Sequence, residues 1–162
     1  MIIFGLIYFY CKWNKPFATY ICNKSIYPME QKTAPAYNII IVEDDRYMRS
    51  VLSHYLEGKF KVNAFDNGME ALKYLQEGNI PDIIITDLNT PKLSGMQLLE
   101  QVKASGFFKS IPVMILSGED STEKRIACLN AGADDYVVKP FNPAELFARL
   151  NVILRRFGKT VQ

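Results

Sequence analysis

Three stretches of this chain carry four or more β-branched and aliphatic residues with no polar alternation. They are Ile39-Ile40-Ile41-Val42, Ile83-Ile84-Ile85-Thr86 and the run from Ile111 to Leu116. Runs this short and this dry read as strands buried on both faces, as in parallel sheets covered by helices above and below. Each is followed by residues with helical periodicity. Met48, Val51, Leu52, Tyr55 and Leu56 follow the i, i+3, i+4, i+7, i+8 pattern after the first run, and Gly58 stops them.

Phe60 to Phe65 alternates like a strand nearer the sheet edge. Asp66-Asn67-Gly68 then turns into a helix with Met69, Leu72 and Leu75 inward. The third strand is followed by a helix on Met96, Leu99 and Val102, and the fourth by a helix over 119–130 with Ile126 and Leu129 inward and Gly132 as its stop. Tyr136-Val137-Val138 is a fifth strand. The last helix starts near Pro143, with Leu146, Phe147, Leu150, Ile153, Leu154 and Phe157 on one face. Five such units in a row predict an α/β fold: a doubly wound, five-stranded parallel sheet with right-handed crossovers. The flavodoxin-like strand order 2-1-3-4-5 fits best.

In an open sheet of this kind, chemistry sits at the carboxyl ends of the strands. The first strand ends in Glu43-Asp44-Asp45, the third in Asp87, the fourth in Ser117 and the fifth in Lys139-Pro140. In the expected order the first and third strands are neighbours, so Glu43 and Asp44 come beside Asp87. Clustered carboxylates disfavour one another's ionisation, and a divalent cation resolves the conflict. An all-oxygen site open to water suits Mg²⁺. Ser117 adds a hydroxyl and Lys139 a compact cation. Metal, ammonium and hydroxyl are what an acyl phosphate on Asp87 needs. A carboxylate is ionised at neutral pH and requires no base to activate it as the nucleophile. The single histidine, His54, sits mid-helix and reads as a surface residue.

With these positions in order, the chain resembles the receiver domain of bacterial two-component response regulators, over about residues 37–158. The spacings Asp87 to Ser117 (30 residues) and Asp87 to Lys139 (52 residues) match chemotaxis members of that family. The resemblance implies that Asp87 accepts a phosphoryl group from the phosphohistidine of a sensor histidine kinase or a histidine phosphotransfer protein. It implies Mg²⁺ held by Asp44, Asp87 and the backbone carbonyl of Asn89, with Glu43 acting through water, and Lys139 on the phosphoryl oxygens. Arg49, five residues past Asp44, aligns the acidic pair, which leaves Asp45 peripheral. Pro140 is similar to the family's cis-proline. The implied chemistry is confined to the protein's own phosphorylation and dephosphorylation.

A switch is implied as well. Ser117 would move toward the phosphoryl group and Tyr136 would turn from outward to inward, altering the face made by the fourth helix, fifth strand and fifth helix. Arg125, Glu145, Asp135 and Arg156 match positions that form intersubunit ion pairs in relatives fused to winged-helix domains. Asn130 and Ala131 replace acidic members of that set, so a homodimer is one reading and a solvated charged face the other. Asn89 and Glu119 occupy positions that tune phosphoryl loss in the family, and this pairing resembles the faster, chemotaxis-like one.

Competing readings are poorer. Asp87-Leu88-Asn89-Thr90 resembles the D-x-D-x-T loop of dehalogenase-type phosphatases, but Asn89 replaces the acid that protonates a leaving group there. A flavin or nucleotide module would want a glycine-rich loop where Glu43-Asp44-Asp45 stands. Unrelated surface acids would suit any one of these positions but not all of them together.

Residues 1–28 contain Lys12, Lys15 and Lys24 and no acid, which leaves 16 basic and 17 acidic residues in the remainder, a net of −1. A near-neutral body offers no electrostatic footprint for nucleic acid. The ten uncharged residues after Met1 end at Lys12, too few for a membrane span, and the positive charge follows rather than precedes them. Residues 1–36 therefore read as an extension, with Met29 as the expected biological start; a membrane-surface anchor or partner-binding tail are the alternatives. Residues 159–162 form a tail. Three cysteines without metal-like spacing favour a reducing cytoplasm over a disulfide framework. A stand-alone receiver signals by protein contact. The alternative is a truncated winged-helix regulator, because Arg155-Arg156-Phe157-Gly158-Lys159 resembles the entry to such a protein's linker.

Overall fold

The structure is a computed structural model that describes residues 37–159. The expectations for residues 1–36, including the Met29 start, and for 160–162 lie outside the described residues. Five strands, β1 (Asn38–Val42), β2 (Lys61–Phe65), β3 (Ile83–Asp87), β4 (Val113–Ser117) and β5 (Asp135–Val138), alternate with five helices. The helices are α1 (Arg46–Leu56), α2 (Gly68–Gln76), α3 (Gly95–Ala104), α4 (Thr122–Asn130) and α5 (Pro143–Arg156). All strand pairs are parallel and the order is β2-β1-β3-β4-β5, the doubly wound arrangement expected.

The dry strands are dry because each face carries its own core. Ile40, Val42, Ile84, Val113 and Ile115 point to one side and pack with Leu72 and Leu75 of α2 and Leu98, Leu99 and Val102 of α3. Ile39, Ile41, Ile83, Ile85, Met114 and Leu116 point to the other and meet Leu52 and Leu56 of α1 and Leu146, Leu150 and Leu154 of α5. The edge strand β2 is only partly covered, as its alternating sequence implied.

Periodicity misplaced several helical side chains. Val51, Met69, Ile126 and Leu129 are largely exposed, as is Phe157, which lies past the end of α5. On short helices a rotation of one position exchanges neighbours across the apolar stripe. Ala71, Leu98 and Cys128 are the ones that face the core. Helix α4 is also shorter than expected. It begins at Thr122, where the Ser121 side chain accepts a hydrogen bond from the Lys124 amide and so caps the first turn.

Candidate functional site

The β1–β3 pairing sets Val42 beside Thr86, so the residues that leave these strands emerge together. Glu43 is 1% exposed although acidic, whereas Asp44 points to solvent. Arg49 on α1 fixes this acidic loop from below, donating to the Glu43 carbonyl at 2.6 Å and the Asp44 carbonyl at 3.2 Å. Asp45, expected to be peripheral, is the N-cap of α1: its carboxylate accepts from the Met48 amide at 2.7 Å.

Asp87 closes β3 with both carboxylate oxygens engaged. Oδ1 accepts from the Asn89 amide at 3.0 Å, and Oδ2 accepts from Lys139. Lys139 also donates to Glu43 at 2.6 Å. The Lys139–Pro140 peptide is cis, as expected. The loop after Asp87 is held by Thr90, whose hydroxyl donates to the Leu93 carbonyl at 2.8 Å. Helix α3 then starts hard against the strand end. A Cβ on Gly95 would lie 2.1 Å from the Asp87 carbonyl oxygen, so only glycine allows the approach.

The electrostatics follow from burial. Burial pushes the Glu43 carboxyl above its ordinary range, against the pull of Lys139, and the neighbouring Asp87 charge adds to the rise. For Lys139 burial works against the charge, but hydrogen bonds to Asp87 and Glu43 outweigh it and hold the ammonium above its usual value. The lysine therefore stays charged at neutral pH. Glu43, Asp44 and Asp87 each offer an oxygen within 4.8 Å of the others. Among the described residues the Asp44 carboxylate has no hydrogen-bond or ion-pair partner, which leaves its oxygens open to ligate. Three clustered carboxylates, with Asp44 open to water, suit a hard cation such as Mg²⁺.

Ser117 is fully buried at the end of β4, and its Oγ accepts from the Glu119 amide at 3.1 Å. Asn89 reaches across from the β3 loop and donates to the Glu119 carboxylate at 3.1 Å. Tyr136 occupies the inward one of its two expected positions. It is already inward and 7% exposed, and its hydroxyl donates to the Glu119 carbonyl at 3.0 Å. The Arg125 guanidinium stands 5.7 Å from the ring centroid. The inward position is the one that the implied switch assigns to its end point.

The four residues expected to form an intersubunit face do not all stand free. Arg125 pairs with Asp120 at 2.5 Å. Asp135 and Glu145 both pair with Arg149, at 3.2 and 2.8 Å. Arg149 and Lys124, which pairs with Glu119, were missed by sequence reasoning. The i, i+4 spacing from Glu145 to Arg149 was the available signal. His54 is an exposed residue of α1 as expected. Among the described residues no helix is long and apolar enough to cross a membrane.

The family model for the response regulator receiver domain matches residues 39–151. The chain belongs to the response regulator receiver family. Receivers of this family take phosphate from histidine kinases in two-component systems and generally bind Mg²⁺. This receiver is 38% identical over 119 residues to the response regulator MprA of Mycobacterium sp. strain KMS, an alignment spanning 73% of this chain and 50% of that protein. It is 36% identical over 122 residues to the regulatory protein VanRc of Enterococcus gallinarum, spanning 75% of this chain and 51% of that one. The chain thus spans about half the length of the curated relatives it matches. Among solved structures, a putative response regulator from Chloroflexus aurantiacus shares 34% identity with a TM-score of 0.70, over 74% of this chain and 98% of that one. The chemotaxis response regulator CheY4 of Vibrio cholerae shares 31% identity with a TM-score of 0.67, over 72% and 98%.

Proposed function

We propose that this receiver accepts a phosphoryl group on Asp87 from the phosphohistidine of a sensor histidine kinase or a histidine phosphotransfer protein. An Asp87 oxygen attacks phosphorus, the P–N bond to the imidazole breaks, and the imidazole leaves with the electron pair and takes up a proton. The observation that carries this reading is the seating of Asp87: one oxygen on a backbone amide, the other on Lys139, and two further acids beside it. Lys139, already shared between Asp87 and Glu43, turns to the phosphoryl oxygens as charge builds there. Glu43, Asp44 and Asp87 would hold Mg²⁺, with Asp44 and Asp87 direct and Glu43 through water, and the Asn89 carbonyl would add a ligand. When bound, the ion supplies the countercharge that the phosphoryl oxygens need. Ser117 supplies a hydroxyl to the same group and passes the change to α4.

The test is incubation with Mg²⁺ and acetyl phosphate, followed by mass. A gain of one phosphoryl group that is lost in Asp87→Ala supports the reading. Label that persists in that variant at another residue ends it. Asn89 and Glu119 favour a phosphoryl lifetime of seconds to minutes, and decay measured after removal of the donor checks this; persistence for many hours counts against it.

The output of this cytoplasmic receiver is a protein contact made by α4, β5 and α5. A groove of about 440 Å³ lined by Asp135, Glu145, Arg149, Val152 and Arg156 lies on that face. A homodimer there must re-partner the two acids now held by Arg149, and gains little from exposed pairs. That the aligned segment makes up about half of each relative favours a second reading, in which this receiver is the input half of a winged-helix transcription regulator. Reading the gene beyond the codon for Gln162, in all frames, separates the two.

A further inference from the structure

Across the mouth of the site runs a bridge of three side chains from two loops and a helix. The Asn89 amide donates to one oxygen of the Glu119 carboxylate, and Lys124 on the first turn of α4 donates to the other. The same loop is tied in three more ways: Glu119 N–H to Ser117 Oγ, Tyr136 hydroxyl to the Glu119 carbonyl, and Asp120 to Arg125. These backbone and neighbouring contacts hold the loop without Lys124. What Lys124 alone supplies is charge. Without it the Glu119 carboxylate is an uncompensated anion two residues from Ser117 and in hydrogen-bond contact with the residue that seats Asp87. An ordinary glutamate side chain is ionised at neutral pH, so the bridge joins a carboxylate to an ammonium.

We infer that Lys124 is a positioning residue for phosphoryl uptake: it holds the Glu119 carboxylate against Asn89 and cancels its charge at the entrance used by an anionic phosphoryl donor. The inference rests on Asp87 being the acceptor. Lys124 touches neither Asp87 nor the donor, and it acts through Glu119. Exposed ion pairs contribute little to stability, and Lys124 retains substantial solvent exposure. A neutral replacement therefore leaves the fold intact.

With acetyl phosphate as donor, an Asp87 oxygen attacks phosphorus, the P–O bond to the acetyl group breaks, and acetate leaves with the electron pair. An uncompensated carboxylate near this dianion slows uptake by about threefold to tenfold in Lys124→Met at low salt. Because the effect is electrostatic, it shrinks in about 0.5 M KCl. Lys124→Arg restores the rate. In a Glu119→Gln background, Lys124→Met adds nothing, since the charge it cancelled is gone. A Lys124→Met rate equal to wild type overturns the inference, as does a deficit that survives in Glu119→Gln or at high salt. If the unmodified chain takes up no phosphoryl group, the assignment of Asp87 itself fails, and the Lys124 inference falls with it.

Discussion

Helices α3 and α4 follow adjacent strands and pack on the same side of the sheet, yet they are held by different means. Helix α3 buries Gly95, Leu98, Leu99 and Val102, and its start is fixed by a reciprocal capping box between Ser94 and Gln97. Helix α4 buries Cys128 alone, while Ile126 and Leu129 face water. Its first turn is tied to the preceding loop by two ion pairs, Glu119–Lys124 and Asp120–Arg125. One helix is therefore anchored by apolar area and the other by exposed charge. Apolar burial on this scale contributes several kcal/mol, whereas exposed pairs contribute about 0–1 kcal/mol each. The helix behind Asp87 is a fixed base, and the helix behind Ser117 is inexpensive to move. That asymmetry is what a site needs if chemistry at one strand end is to alter a surface beside the next.

The contrast can be broken most severely at Gly95. An alanine there drives its Cβ into the Asp87 carbonyl, and the contact is backbone on both sides, so neither can yield by a rotamer change. Gly95→Ala is expected to lose about 4 kcal/mol in urea unfolding and to disturb the Asp87 loop. Next comes Leu99→Ala, which leaves a cavity at a fully buried position and is expected to cost about 3 kcal/mol. On α4 the matching truncations, Ile126→Ala and Leu129→Ala, remove side chains that are half in water and should stay within about 0.5 kcal/mol. Equal costs on the two helices would show that α4 is buried in solution. Amide hydrogen exchange sharpens the same point without mutation: amides of α3 should be protected longer than those of α4.

Much of this was legible beforehand, and for a definite reason. Buried parallel strands announce themselves by unbroken β-branched runs, and the strand order then brings Glu43, Asp44, Asp87, Ser117 and Lys139 to one edge. Helix faces were less legible. On α4 the apolar residues Ile126 and Leu129 attract an inward assignment, while the residue that reaches the core, Cys128, is flanked by them and small. The state of Tyr136 was not legible at all, because its inward rotamer depends on a carbonyl 17 residues away, that of Glu119. Lys124 was hidden for a related reason: its partner, Glu119, is set by how a loop folds back on a helix, whereas the i, i+4 spacing of Glu145 and Arg149 was there to be read.

A pH-dependent effect concerns the one buried side chain of α4. Cys128 is 1% exposed, and burial pushes its thiol above the ordinary value of 9.0. Between that value and the raised one, the native chain keeps a proton that the unfolded chain has lost. The native state then binds more protons than the unfolded state, so stability falls as pH rises above about 9. The slope this adds is at most about 1.4 kcal/mol per pH unit. Lys139, whose ammonium is also held above its ordinary 10.5, adds a loss of the same sign, but only above that pH. The window from about pH 9 to 10.5 therefore isolates the thiol. Cys128→Ala should be slightly less stable than the parent at pH 7 and should lose stability less steeply across that window. If the two slopes coincide, the thiol is reaching water, and α4 is looser than even its exposed face implies.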